Sequence, residues 1–120
     1  MYKRDFRQLK IWEKSHSLAL AVYKITFDFP KGKMFSLVNQ MRRSVYSIPA
    51  NIAEGCVKSK KVFDNHLSIA QGSLEETKYF LILAQDLGYI RKEEFEKLFA
   101  QCDEVGRMIY AFIKKSNNFN

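Results

Sequence analysis

Residues that turn or break the chain are scarce in this sequence, which has only two prolines and five glycines among 120 residues. So few turn-forming positions exclude a turn-rich β-sandwich or β-barrel. Long apolar runs are also missing, since stretches such as 18–22 and 80–84 fall far short of the roughly 20 residues that span a bilayer. The basic N-terminus, MYKRDFRQL, has no apolar segment suited to secretion, so a cytoplasmic protein without a membrane partner is expected.

Metal-binding and redox-active residues are equally sparse. Cys56 and Cys102 form no CxxC pair, and both fall on apolar helix faces, which predicts two reduced, buried thiols. His16 and His66 lie on separate predicted helices without ligand spacing, so no metal is expected. Neither a nucleophile–His–Asp arrangement nor a phosphate-binding loop is present, and the sequence therefore predicts no catalytic residue and no cofactor.

Positive charge is concentrated in the first half of the chain. Residues 1–61 hold 13 Lys/Arg against 4 Asp/Glu, whereas residues 62–120 hold 7 against 9, and the net charge is +7. A basic surface attracts phosphates, but moderate net charge also serves solubility alone. Both interpretations stay open, and the asymmetry favours an anionic partner.

The spacing of apolar residues predicts an all-α protein. Four helices are expected, at about 5–27, 35–57, 60–87 and 92–115. Asp5 is the predicted N-cap of the first helix, and Gly88 is the predicted left-handed residue that ends the third. Four long helices joined by short connections favour a single domain of 120 residues, folded as an antiparallel up-down-up-down four-helix bundle.

Residues 40–55, which read QMRRSVYSIPANIAEG, combine a core line with a second, polar row on helix 2. By helical geometry the row lies about 120° away from the core line. Its members are Gln40, Arg43, Ser47, Asn51 and Glu54. Arg43 and Glu54 are about 16 Å apart along one straight helix, so each needs another partner if the row is not simply solvated. Pro49 removes one backbone hydrogen bond and is expected to kink the helix.

The motif QMRRSVYSIPANIAEG, followed by HLSIAQGSLEETKYFLILAQDLGYI, resembles the 23S ribosomal RNA intervening-sequence protein family, also called four-helix bundle proteins. The opening FRQLKIWEKSHSLALAVYKIT and the phrase FDFP fit the same pattern, so the resemblance runs from about Phe6 to Phe112. It implies a four-helix bundle that assembles as a homopentamer. Family members are encoded in insertions within bacterial 23S ribosomal RNA genes and elsewhere in bacterial genomes. A related branch, the accessory proteins of diversity-generating retroelements, binds nucleic acid and a reverse transcriptase.

The resemblance also carries signature positions onto this chain, and we interpret them as parts of an assembly device. They are Gln40, Arg43, Ser47, Pro49, Asn51, Glu54, Gly55, Gly72, Ser73 and Glu76. Gly72 is expected to allow a close approach between helices. The chain departs from the family where Lys33 and Ser36 replace an acidic residue and a glycine, and where Lys58, Lys60 and Lys61 follow the motif instead of arginines. Lysine lacks the planar fork of arginine, which favours non-specific attraction to phosphates there.

Two functions follow as hypotheses. The first is a non-catalytic oligomer that binds RNA or DNA through a basic surface. Its candidate phosphate contacts are Lys3, Arg4, Arg7, Lys10, Arg42, Lys58, Lys60 and Lys61. The second is a protein-interaction scaffold, such as an accessory subunit of a nucleic-acid enzyme like a reverse transcriptase.

Overall fold

Four helices make up almost all of the described chain. The computed structural model describes residues 5–32 and 35–117, with side chains as far as residue 115. A short 3-10 turn at Phe6–Gln8 comes first, and the described residues contain no strand. The helices are α1 (Lys10–Thr26), α2 (Phe35–Gly55), α3 (Lys60–Asp86) and α4 (Lys92–Asn117).

The helices pack as the four edges of an elongated bundle of 47 × 22 × 20 Å. Each helix packs against the next along the chain and α4 returns to α1, whereas among the described residues the backbones of the diagonal pairs stay more than 8 Å apart, Cα to Cα. Pairing between α2 and α3 runs in opposite directions, since Ser44 faces Thr77 while Ser47 faces Ser73. The predicted all-α, antiparallel up-down-up-down bundle is confirmed.

The core lies where the apolar spacing predicted it. On α3, alternating spacings of four and three select seven positions, which we call the α3 seam, and all of them are buried: Phe63, Leu67, Ala70, Leu74, Thr77, Leu81 and Ala84. On α2, Met41, Val45, Ile48 and Ile52 are fully buried. Burying one such large side chain contributes about 1.5–3 kcal/mol. Cys56 and Cys102 form no disulfide and are 0% exposed, as expected for two reduced, buried thiols. Burial raises the pKa of the Cys102 thiol to about 12, so this group is uncharged at neutral pH.

The start of α1 differs from the prediction that Asp5 caps it. Asp5 instead caps the 3-10 turn, where its carboxylate accepts a hydrogen bond from the Arg7 backbone N–H at 2.9 Å. Leu9 then adopts an extended conformation (φ −83°, ψ 127°), and α1 begins at Lys10. Leu9 is only 6% exposed. We infer that the break in the helix lets the Leu9 side chain reach the core.

The end of α3 matches the prediction of a left-handed glycine. Gly88 has a φ of 83°, and the Tyr89 backbone N–H donates to the Ala84 carbonyl at 2.9 Å. This bond satisfies a carbonyl that the helix end leaves without a partner. Ile90 is 5% exposed and closes over the last turn. The start of α3 is capped by Ser59, whose hydroxyl accepts from the Val62 N–H at 3.4 Å.

The close approach between helices occurs at Gly55 rather than at Gly72. A Cβ at Gly55 would lie 2.7 Å from the His66 Cβ and 3.0 Å from the Phe63 ring, so only glycine fits between α2 and α3. Gly72 is exposed, and a Cβ there would meet nothing within 4 Å. The expected role of Gly72 in close packing within the chain was wrong, because Gly72 points away from the neighbouring helices.

These two glycines form a matched test of packing. We expect Gly55→Ala to lower the free energy of unfolding by about 2 kcal/mol or more, because backbone or His66 must move. Gly72→Ala should raise it by up to about 1 kcal/mol, since alanine favours the helix. Chemical denaturation followed by circular dichroism measures both. Equal effects of the two substitutions would contradict the proposed contact at Gly55.

Candidate functional site

Paired hydroxyl groups line the interface between α2 and α3. Thr77 Oγ1 lies 2.9 Å from Ser44 Oγ, and both side chains are at most 3% exposed. One turn further along α2, Ser47 Oγ lies 2.9 Å from Ser73 Oγ. Helix geometry explains the arrangement, because polar residues three or four apart lie on one edge of a helix. These side chains form a polar seam beside the core.

Asn51 extends this seam toward the C-terminus of α2. Its amide nitrogen donates to the Ser47 carbonyl at 2.8 Å, and its Oδ1 lies 3.0 Å from Nδ1 of His66. Because an amide oxygen only accepts, the His66 proton lies on Nδ1. The other ring nitrogen of His66 is 4.0 Å from the Glu54 carboxylate, which is close enough for an ion pair when His66 is protonated.

The polar row therefore divides into two parts. Ser47, Asn51 and Glu54 reach toward α3, whereas Gln40 and Arg43 are exposed and have no hydrogen bond or ion pair among the described residues. Pro49 is buried on the opposite edge of α2, and the helix is continuous through it. The part that reaches toward α3 fits the interpretation that the row needs partners, and the exposed part fits a solvated face. The role of Arg43 in assembly stays a prediction.

A surface hollow of about 490 Å³ lies over the seam. Arg43 and Glu76 both line it, together with Ser47, Ser73 and Asn51. Arg43 and Glu76 carry opposite charges, yet no ion pair joins them within the described part of the chain. Six of the ten signature positions are thus gathered at one edge of the molecule, at Gln40, Arg43, Ser47, Asn51, Ser73 and Glu76.

Bundle topology gathers many of the predicted phosphate-binding cations at one end. The start of α1, the α2–α3 turn and the end of α4 all lie there, because successive helices run in opposite directions. This basic end carries Arg7, Lys10, Lys58, Lys60, Lys61, Lys114 and Lys115. Lys3 and Arg4 lie outside the described residues. Sequence reasoning did not include Lys114 and Lys115 in this set. Their position at the end of the fourth helix could have placed them here, because an antiparallel bundle brings that end next to the start of the first helix.

Some of these cations are already paired. The Arg7 guanidinium hydrogen-bonds both Asp5 oxygens, and this contact lowers the pKa of the Asp5 carboxyl to about 2. Lys10 lies 3.9 Å from the Glu13 carboxylate in an exposed pair of little energetic weight. Lys58 and Lys61 are exposed and have no ion pair with another described residue, so they are the most available of the predicted contacts.

Arg42 is not part of the basic end. It lies thirteen residues before the end of α2, a separation of about 20 Å at the helical rise. Its Nε donates to Thr26 Oγ1 at 3.0 Å, and its Nη2 donates to the Tyr23 carbonyl at 3.3 Å. A cation at this helix C-terminus also complements the helix dipole of α1. Arg42 therefore fixes α2 against the end of α1, a structural role that its sequence neighbours do not signal.

The described residues offer little support for other kinds of site. Within 5–32 and 35–117, no group of three or more His, Cys, Asp or Glu side chains is placed to hold a metal ion. No helix in the same part of the chain has both the length and the apolar character needed to cross a bilayer.

Asn51 offers a direct test of the seam. Asn51→Ala should lower the free energy of unfolding by about 1–3 kcal/mol, because it leaves the Nδ1–H of His66 without its acceptor and removes one donor from the Ser47 hydroxyl, which keeps Ser73 as a partner. Gln40→Ala is the matched control: it removes the same amide from the same helix, and we expect a change within about 0.5 kcal/mol. Urea denaturation of both variants measures the difference, and an Asn51→Ala variant as stable as the control would contradict the seam.

Comparison with known proteins places the chain among related sequences. The family model for the 23S rRNA-intervening sequence protein matches residues 7–111. A similar solved structure is that of a protein of unknown function from the S23 ribosomal protein family of Bacteroides thetaiotaomicron, with a TM-score of 0.79 and 31% sequence identity. The alignment covers 87% of this chain and 98% of that one. No curated protein matches the chain.

Proposed function

The chain belongs to the 23S rRNA-intervening sequence protein family, and from this premise we propose that it is a non-catalytic oligomer that binds RNA or DNA through its basic end. One observation supports the proposal: antiparallel topology brings cations from three separate segments to one end of the bundle. Two of these cations, Lys58 and Lys61, are exposed and have no ion pair among the described residues. Nucleic-acid phosphates are the partner that such a cluster attracts without base-specific contacts.

The chemistry of the basic end favours non-specific binding. Its cations are mostly lysines, which act as point charges and do not hold a phosphate through a planar fork. Each neutralised phosphate releases counterions, so affinity should fall steeply as salt rises. Specific recognition would need other groups.

We expect the Lys58→Ala/Lys61→Ala variant to bind nucleic acid more weakly and with a salt slope lower by about 1–2, because two phosphate contacts are removed. The measurement is fluorescence anisotropy with a labelled RNA hairpin and a labelled DNA duplex between 50 and 200 mM salt, about the range in which such contacts weaken most. The matched control is Lys92→Ala/Lys97→Ala, which removes two exposed lysines from the first turns of α4 at the opposite end.

Two results would overturn the proposal. Wild-type protein that binds neither probe at the lowest salt, or binds equally at every salt, rules out electrostatic nucleic-acid binding. Equal weakening by the variant and the control attributes binding to net charge and removes the role of the basic end.

Assembly or a protein partner is a second candidate function, supported by the outer face of α3. Ile69, Gly72, Glu76 and Tyr79 follow heptad-like spacing, and all four are exposed. Ile69 is 53% and Tyr79 57% exposed, on either side of two signature positions. Two exposed apolar side chains on one face of a helix suit contact with a second helix. We propose that this face of α3 joins subunits of a homopentamer, or docks the chain as an accessory subunit.

Ile69→Glu tests this second candidate. Wild-type protein should show a mass of about 70 kDa by light scattering, five times 14.1 kDa, and the variant should dissociate because a carboxylate would be buried in the contact. Leu20→Glu is the control, since Leu20 is 58% exposed on α1, diagonally across the bundle. A wild-type monomer excludes the homopentamer. Nuclease-resistant capture of a partner by that monomer, lost in Ile69→Glu, favours the accessory subunit.

A further inference from the structure

Four exposed aromatic rings surround a groove between the C-terminal half of α1 and residues 35–46 of α2. Tyr23 and Phe27 come from α1 and the residue after it, and Phe35 and Tyr46 come from α2. Their exposures are 40%, 69%, 72% and 48%. Two adjoining hollows, of about 520 and 270 Å³, make up this aromatic groove, and Phe35 and Arg42 line both of them. Exposed rings on this scale are not explained by the core.

Cations accompany the rings of the aromatic groove. The Arg42 guanidinium lies 4.7 Å from the centre of the Tyr23 ring, and the Lys31 ammonium lies 5.5 Å from that of Phe27. Arg43 lines the larger hollow and has no ion pair among the described residues. None of the described residues that line either hollow carries a carboxylate. The groove is therefore positive as well as aromatic.

The central cation of the groove is held in place before any ligand arrives. Arg42 donates hydrogen bonds to Thr26 Oγ1 and to the Tyr23 carbonyl, and Thr26 is only 3% exposed. A fixed charge loses little conformational freedom on binding, which favours affinity.

We propose that the aromatic groove binds single-stranded nucleic acid, with bases stacked on Phe35 and Tyr46 and phosphates near Arg43 and Lys31. Successive rings and cations without carboxylates are the features that hold unpaired bases and their backbone. A duplex keeps its bases stacked inside and cannot use the rings. The inference rests on the proposed function and adds a site that is separate from the basic end.

A second copy of the chain is the competing occupant. If two copies met through the same groove, Arg42, Arg43 and Lys31 would face like charges, which is unfavourable. An acidic face of another copy would avoid this conflict, so the mass of each variant must be measured along with its binding.

The test uses Phe35→Ala and Tyr46→Ala in the full chain, with a fluorescein-labelled 20-nucleotide thymidine strand and its duplex with adenosine as probes. Loss of one stacking ring should weaken single-strand binding by about 5- to 150-fold. The salt slope should stay unchanged because the rings carry no charge. Duplex binding should also stay unchanged. Tyr46→Phe keeps the ring and should bind as tightly as wild type.

Tyr110→Ala is the matched control, because Tyr110 is 60% exposed on α4, diagonally opposite α2. The groove proposal is overturned if Phe35→Ala and Tyr46→Ala bind the single strand as well as wild type or Tyr110→Ala does. It is also overturned if these substitutions change the oligomeric mass, which would make the groove a subunit contact. In both cases the basic end keeps its own test, whereas a wild-type chain that binds no probe at any salt ends both proposals.

Discussion

The close packing of α2 against α3 is the constraint on which the rest of the structure depends. His66 lies so near Gly55 that a single methyl group would not fit between the helices. This contact allows Asn51 to reach His66 and Ser47 to reach Ser73, since short polar side chains span only a narrow gap. A wider spacing would leave these groups without partners, at a cost of about 1–3 kcal/mol for each buried one. Backbone approach and polar pairing therefore depend on each other.

This dependence also explains why polar side chains lie between α2 and α3 beside the apolar core. Apolar residues in place of the polar seam would allow α2 and α3 to pack in several registers, each shifted by one helical turn. Hydroxyl and amide groups pair only when Ser44 meets Thr77 while Ser47 meets Ser73, so the pairs select one register. Helical geometry places Pro49 about 160–200° around α2 from Asn51 and Ser47, so its missing backbone N–H lies away from these polar pairs. We infer that part of the family motif specifies helix register, and that its remaining exposed members are available for contacts outside the subunit.

Sequence reasoning predicted the features that follow from repeated spacing along a helix. It missed the features that depend on one particular contact with another helix. The α3 seam and the Gly88 cap follow from spacing and backbone preference, and both are as predicted. The start of α1 could not be predicted, because Asp5 caps a short turn as well as it caps a helix. Gly55 and Gly72 look alike in sequence, yet only the position of α3 tells them apart. At the candidate site, the cluster of lysines after the motif was predicted, but the attachment of Arg42 to α1 and the place of the α4 C-terminus required the assembled bundle.

The packed bundle presents two separate surfaces of different chemistry, the basic end and the aromatic groove. Because they are separate, neither combines the features of the other. The basic end consists mainly of exposed lysines, point charges that attract phosphates but distinguish sequences poorly. The aromatic groove holds Arg42 fixed against α1 and presents exposed rings, on which we propose that unpaired bases stack. Point charges and stacking rings both respond to the form of a nucleic acid more than to the pattern of its base edges. If both bind one nucleic acid, selectivity must come from its shape: a structured region at the basic end, continuous with an unpaired segment that reaches about 20 Å to the level of Arg42. A strand junction has that form, and neither a plain duplex nor a plain single strand does.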